Sequence, residues 1–336
     1  MLSQILNMNP DVLSLSEFWN IFIDHQGTKT TRDIPTHVMS GEEYWQLLTR
    51  CDPHYDGLVA TGIESYFGRR FNAVTGVPTI CRVLGPLTSD PDTLYGELDQ
   101  EVPTWPRRPM ADHCRALFAD LATILGRRVV VERTGGGLAA LPMLRQQFPE
   151  ARFVYLHRNG PDSALSMSRH PIFRLLALKF ALTFSGQAPP FPLLEGGGVP
   201  DPEEVKGLLE PPFDVERFMA YPLSLKFFGR IWSKLTCAGV AELREVPHDK
   251  WLIMRYEDLI NDTAAELATL TDFIGVPADA RWLAWAGEFV EAGRPRAAAQ
   301  LDPCSLAGLE TACAPGAEAY KALQSEHDAA LVKLSS

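Results

Sequence analysis

The 336-residue chain is poor in several of the features that most quickly assign a function. Its six cysteines (Cys51, Cys81, Cys114, Cys237, Cys304 and Cys313) are scattered. None lies in a C-x-x-C pair and no histidine joins them at zinc-ligand spacing, so no metal site is expected and reduced thiols in a cytoplasmic protein are the simplest reading. Residues 1–25 hold neither a basic start nor a long apolar run, which excludes a secretory signal in that stretch. No window approaches the 18 or so uncharged apolar residues of a membrane span. No Walker sequence occurs, and Gly135-Gly136-Gly137 does not have the G-x-G-x-x-G spacing of a dinucleotide site. Positive charge is in deficit: 31 Lys and Arg face 42 Asp and Glu, a net charge of −11, which argues against nucleic acid and anionic membrane surfaces as partners. One locally basic cleft for a small anion remains compatible with that balance.

What is present is enough apolar residue, 46%, for a sizeable core. There is no internal repeat and no linker long enough to force two domains, so a single domain over 1–336 is expected. Met1 to Met8 has helical apolar spacing and stops at Asn9-Pro10. Further helices are expected at Gly41–Arg50, near Asp90–Leu98, at Ala111–Leu125 and at Leu138–Phe148, with a strand over Val77–Leu84. Arg128 to Arg133 reads as a buried strand running into the glycine turn. Joined through Leu138–Phe148 to the next strand, it predicts a parallel pair with a right-handed crossover. The Pro- and Gly-rich stretch from Ser185 is too long for an ordinary connection, so 185–213 reads either as a lid or as a surface insertion. Phe213–Leu243 is mainly helical with a break near Pro222, and its aromatics read as core. Lys250 to Tyr256 is a third strand, followed by a helix from Asp262 to Phe273. Residues 303–336 read as a C-terminal helical extension on the surface.

The stretch Arg152 to His170 organises the chain. Phe153–Leu156 reads as a buried strand, Asn159-Gly160-Pro161 as a turn, and a helix follows from about Asp162, with Pro161 suited to a first helical position. Arg158 then stands at the carboxyl end of a strand and Ser166 one to two turns into the next helix, the edge of an open α/β sheet where anions bind. A guanidinium and a hydroxyl converging there make a phosphate site. The other reading is a surface arginine and a serine bonded to its own helix.

Arg158 to Ser166 resembles the 3′-phosphate-binding segment of sulfotransferases that use PAPS (3′-phosphoadenosine 5′-phosphosulfate), in which an Arg and a Ser eight residues apart hold the donor's 3′-phosphate. Arg255-Tyr-Glu-Asp-Leu259 is similar to the family's YEDL segment, and Met1 to Val12 to the helix after its 5′-phosphosulfate loop. The three stretches occur in the family's order and span about Met1 to Val276. The resemblance is to the bacterial type, with some motifs of the tyrosylprotein type. It implies a three-layer α/β/α sandwich with a mostly parallel central sheet, the P-loop-related sulfotransferase fold, and transfer of a sulfuryl group from PAPS to an acceptor hydroxyl, or an amine, leaving PAP (3′,5′-ADP).

By the same resemblance, Arg158 and Ser166 hold the 3′-phosphate and Tyr256 lies beside the adenine, with core packing as its alternative role. The late segment carrying Arg294 and Arg296 is expected over the 3′-phosphate, and Arg133 takes the place of a lysine that neutralises the transferring group, or else forms a salt bridge at the sheet edge. Glu17 falls where the tyrosylprotein type places a carboxylate base; alternatively it is a helix-start glutamate. The small cytosolic type places a catalytic His where this chain has Gly135, which excludes a His base there. Glu257 and Asp258 are structural in the family. The family's Gly/Ser/Thr-rich loop is missing before Met1, so Met1 is expected to be an internal start some tens of residues into the functional protein. The alternative is a non-catalytic relative that binds a nucleotide or a partner protein, and a P-loop-type kinase is a further rival. The sequence names no acceptor and sets no oligomeric state.

Overall fold

The computed structural model describes residues 1–22, 36–62, 64–135, 137–183, 192–210, 214–290 and 296–334. Over these the chain is rich in helix with short strands, an α/β composition. The strands are β1 (Val12–Ser16), β2 (Val38–Met39), β3 (Arg108–Pro109), β4 (Val129–Arg133), β5 (Phe153–His157) and β6 (Trp251–Arg255). They form ladders of two: β1 with β4 and β5 with β6, both parallel, and β2 with β3, antiparallel. The chain divides into two compact units, one of Met1–Phe148 with Leu270–Ala286, the other of Pro149–Thr269 with Gly287–Ser336. All six cysteines are free, and no described helix is long and apolar enough to cross a membrane.

In the first unit the helix Leu2–Asn7 ends just before Pro10, and the chain turns into β1, a strand that the sequence reading passed over. Val12, Leu13, Ser14 and Leu15 are all buried, so V-L-S-L-S is covered on both faces and shows no alternation by which to recognise it. Two features fix its position. The Asn7 amide bonds both backbone groups of Ser14, accepting its N–H at 2.7 Å and donating to its carbonyl at 3.0 Å. The N–H groups of Arg128 and Val129 both donate to the Asp11 carbonyl, at 2.9 and 3.0 Å, which sets the register against β4. β4 thus finds its partner in β1, where the sequence pointed to β5.

The strand expected over Val77–Leu84 is instead a turn followed by the short helix Cys81–Leu84. Pro78 has no N–H to give a ladder. The Val77 N–H goes to the Asp56 carboxylate at 2.8 Å, and the Thr79 and Ile80 N–H groups return to the carbonyls of Arg50 and Leu48 at 3.1 and 2.9 Å. Gly41–Leu48 is helical as read, opened by a capping box of Ser40 and Glu43.

In the second unit β5 and β6 run in register from Phe153 opposite Trp251 to His157 opposite Arg255. The helix Gly160–Arg169 follows β5 directly, two residues earlier than read, because the Asn159 side chain caps it by accepting the Asp162 N–H at 3.0 Å. The break near Pro222 separates the helices Val215–Ala220 and Leu225–Leu243. Arg174, 5% exposed, ties that break to the Pro171–Thr183 helix by donating to the carbonyls of Ser168, Phe218 and Tyr221. Of the stretch 185–213, read as a lid or a surface insertion, residues 192–210 are described and include a helix over Pro202–Leu209; residues 185–191 and 211–213 lie outside the described residues.

The C-terminal helix Pro303–Leu334 turns one face inward and leaves the rest of its described residues at the surface. Leu309, Cys313, Tyr320, Leu323 and His327 recur at helical spacing and are buried, a stripe diluted in the sequence by the alanines and charges between them. It packs on the Leu225–Leu243 helix so closely that a Cβ at Gly316 would stand 2.7 Å from the Trp232 ring and 2.8 Å from the Ser233 Cα. Gly316→Ala should therefore force the helices apart and lower stability by about 1–3 kcal/mol despite alanine's better helix propensity. Denaturant unfolding measures this, and an unchanged or raised midpoint would show that the approach is looser than described.

Candidate functional site

Parallel pairing makes the chain leave β5 and β6 at the same edge. Arg158 is the first residue after β5, and Tyr256 follows β6 and opens the helix Tyr256–Asn261. The Arg158 guanidinium carbon lies 4.7 Å from the centre of the Tyr256 ring. That contact sets the cation over the ring, and no described residue accepts from its N–H donors. No acid among the described residues pairs with Arg158. Ser166 lies two turns into the Gly160–Arg169 helix, is exposed, and its hydroxyl bonds no other described residue. Arg158 and Ser166 make no bond to each other.

The start of that helix is built from polar groups that serve one another. The Glu257 carboxylate accepts from the Asn159 backbone and side-chain amides at 2.9 and 2.7 Å. Asp162, 3% exposed, accepts from the Asn159 amide at 2.6 Å, the Ala298 N–H at 2.8 Å and Arg296 Nε at 3.2 Å. Burial opposes its charge, but these donors outweigh burial and hold its carboxyl below the usual range. Arg296 thus reaches the helix start, yet its fork is engaged, its second contact going to Asn159 Oδ1 at 3.2 Å. Arg294 lies outside the described residues. Asp258 pairs with Arg255 at 3.4 Å. His157, at the end of β5, stacks at 3.4 Å on Tyr320, and burial pushes its pKa down to about 4, so it adds no positive charge at neutral pH.

The corresponding strand ends in the first unit carry Glu17 and Arg133. Ser16 is opposite Arg133, and the Glu17 N–H donates to the Arg133 carbonyl at 2.8 Å, extending the ladder by one residue. Glu17 then takes a φ of 62°, which no other described non-glycine residue approaches, and precedes the 3-10 turn Phe18–Phe22. Arg133 forms an ion pair with Glu17 Oε1 at 3.1 Å and donates to the Ser16 hydroxyl at 2.7 Å and to the Ser3 hydroxyl at 3.1 Å. The Gly135 N–H reaches both Glu17 oxygens at 3.1 Å, and the Asn20 amide donates to Oε2. A half-exposed ion pair contributes under about 1 kcal/mol, so the fixed Gly135 N–H does more than the charge to place the carboxylate. A Cβ at position 135 would come within 3.3 Å of Glu17 Oε1. The Glu17 carboxylate therefore occupies the volume into which a side chain at 135 would grow.

Sequence reasoning passed over Glu132. Its Oε1 accepts the Phe18 N–H at 3.0 Å and the Thr134 hydroxyl at 2.5 Å. Withdrawal from water pushes its pKa up to about 7, opposed by the Thr134 bond and assisted by the negative charge of Glu17. The available signal was an acid closing the apolar run Val129-Val130-Val131.

Neither a family model nor a curated protein matches this chain. Among solved structures it is similar to the sulfotransferase domain from the Synechococcus PCC 7002 olefin synthase, at 15% identity and a TM-score of 0.36 over 90% of this chain and 87% of that one. It is also similar to the sulfotransferase domain from the curacin biosynthetic pathway, at 11% identity and a TM-score of 0.36 over 90% of this chain and 96% of that one. At these identities and this TM-score the likeness settles neither fold nor activity for this chain.

The raised Glu132 carboxyl links stability to pH. The folded state favours its neutral form, so its contribution is fully present below the ordinary glutamate range, near pH 4.5, and is lost as pH rises toward about 7. The loss amounts to roughly 2–3 kcal/mol. Glu132→Gln, neutral at every pH, should remove this part of the dependence. Unfolding free energies at pH 5 and pH 8 should differ less in Glu132→Gln than in the wild type; equal differences would show that Glu132 is ordinary.

Proposed function

We propose that the chain is a sulfotransferase-like enzyme of the P-loop-related three-layer α/β/α kind that passes the sulfuryl group of PAPS to an acceptor hydroxyl, or less readily an amine. One observation carries the reading: Arg158, without an acidic partner among the described residues, lies over the Tyr256 ring at the carboxyl end of a parallel strand. A guanidinium so placed is ready for a bidentate phosphate contact. In this account Arg158 and Ser166 take the 3′-phosphate and Tyr256 lines the adenine. Arg296 anchors the helix start beneath them, and Arg294 is the remaining cation of that late segment.

The chemistry asks little covalent work of the protein. The acceptor oxygen attacks sulfur in line, the bond from sulfur to the bridging phosphate oxygen breaks, and PAP leaves with the electron pair. Arg133 neutralises charge on the sulfuryl oxygens and Glu17 takes the acceptor's proton, for which one carboxylate oxygen must exchange a present donor. No metal is required, and the reduced thiols suit a cytoplasmic enzyme. A second reading, non-catalytic binding of a nucleotide or partner, is favoured by one feature: Arg133 and Glu17 are engaged with each other and with Ser3 and Ser16.

Calorimetry with PAP on the wild type and Arg158→Ala tests the reading. The substitution should weaken binding by about 2–3 kcal/mol, roughly 30- to 150-fold, while affinity for 5′-ADP, which lacks the 3′-phosphate, should be weak in both. Equal PAP affinity in wild type and variant would overturn the site. PAP binding without sulfuryl transfer to any hydroxyl acceptor would favour the second reading.

A further inference from the structure

The ends of β1 and β4 brace each other through two carboxyl groups that serve opposite strands. Glu17, just past β1, accepts the Gly135 N–H beyond β4, with both oxygens at 3.1 Å. Glu132, the last but one residue of β4, accepts the Phe18 N–H beyond β1 at 3.0 Å, and the Trp19 N–H also donates to it. Phe18 is fully buried, so its N–H has no water to turn to if that acceptor is lost. Between these two anchors lies Glu17, in a left-handed conformation that costs an L-residue on the order of 1 kcal/mol or more and persists only where its surroundings over-determine it. Of the two anchors, the Glu132 oxygen holds the residue immediately after the strained one. The Thr134 hydroxyl shares that oxygen and fixes its rotamer.

We propose that Glu132 is the positioning residue of the Glu17–Arg133 pair: its carboxyl oxygen, bonded to the Phe18 N–H and the Thr134 hydroxyl, holds the left-handed turn that sets the Glu17 carboxylate between Arg133 and the Gly135 N–H. The role is that of an acceptor, not of a charge, so a side-chain amide oxygen serves it equally. Its catalytic meaning rests on the sulfotransferase reading above; the placement of Glu17 does not.

The experiment separates the two. In protein labelled with carbon-13 at glutamate side-chain carboxyls, the Glu17 resonance is assigned by its loss in Glu17→Gln. Glu132→Ala should displace that resonance, and Glu132→Gln should return it close to the wild-type position. In sulfuryl transfer, Glu132→Ala should lower kcat by about tenfold or more with the KM for PAPS changed by less than about twofold, and Glu132→Gln should recover most of the lost turnover. An unmoved Glu17 resonance in Glu132→Ala, or a failure of Glu132→Gln to restore it, overturns the proposal. Absence of transfer in the wild type counts against the sulfotransferase reading alone, since the resonance still decides the placement. Should Glu132→Ala not fold, Thr134→Val takes its place: the resonance should move in part, and no movement overturns the proposal.

Discussion

Two parallel strand pairs, each in register to its last residue, are the constraint from which the rest follows. Parallel pairing sends two chains out of the sheet at one edge, so functional groups distant in sequence become neighbours without any loop having to reach. Arg158 meets Tyr256 because His157 is opposite Arg255. Arg133 meets Glu17 because Ser16 is opposite Arg133. A slip of one residue in either ladder would turn the slipped strand's side chains over and separate the pair at that ladder's end.

The two edges spend that arrangement differently. In the second unit Glu257 and Asp162 are committed inward, holding Asn159, Arg296 and the Ala298 N–H, and among the described residues Arg158 has an aromatic neighbour and no counter-charge. In the first unit the charges are committed to each other, and the carboxylate is further fixed by a backbone N–H from a glycine that could not carry a side chain without displacing it. One edge thus holds a cation with no acid beside it among the described residues, and the other holds an ion pair closed on itself.

How much of this was legible in the sequence depended on the kind of signal. The strand–turn–helix around Arg158 could be read because Phe153 to Leu156 is apolar and Asn159-Gly160-Pro161 punctuates it. The same punctuation at Pro222 located the break between two helices. β1 could not be read, because Val12 to Ser16 is buried on both faces and its register comes from Asn7 and Asp11, long-range contacts that leave no periodicity. Val77 to Leu84 reads as a strand but is not one, because Pro78 offers no N–H and the Asp56 carboxylate takes the Val77 N–H. The C-terminal helix hid its buried stripe among alanines. Glu17, Arg133, Arg158, Ser166, Tyr256 and Arg296 were singled out by resemblance; what each touches, and the part of Glu132, came only with the fold.

The central claim is that the edge of β5 and β6 receives a ribose-bound phosphate. A crystal structure with PAP bound measures this most directly. The account predicts the 3′-phosphate within hydrogen-bonding distance of the Arg158 guanidinium and the Ser166 hydroxyl, with the adenine against Tyr256. A nucleotide seated elsewhere, or one whose 3′-phosphate faces solvent while Arg158 remains on Tyr256 without touching it, would contradict it.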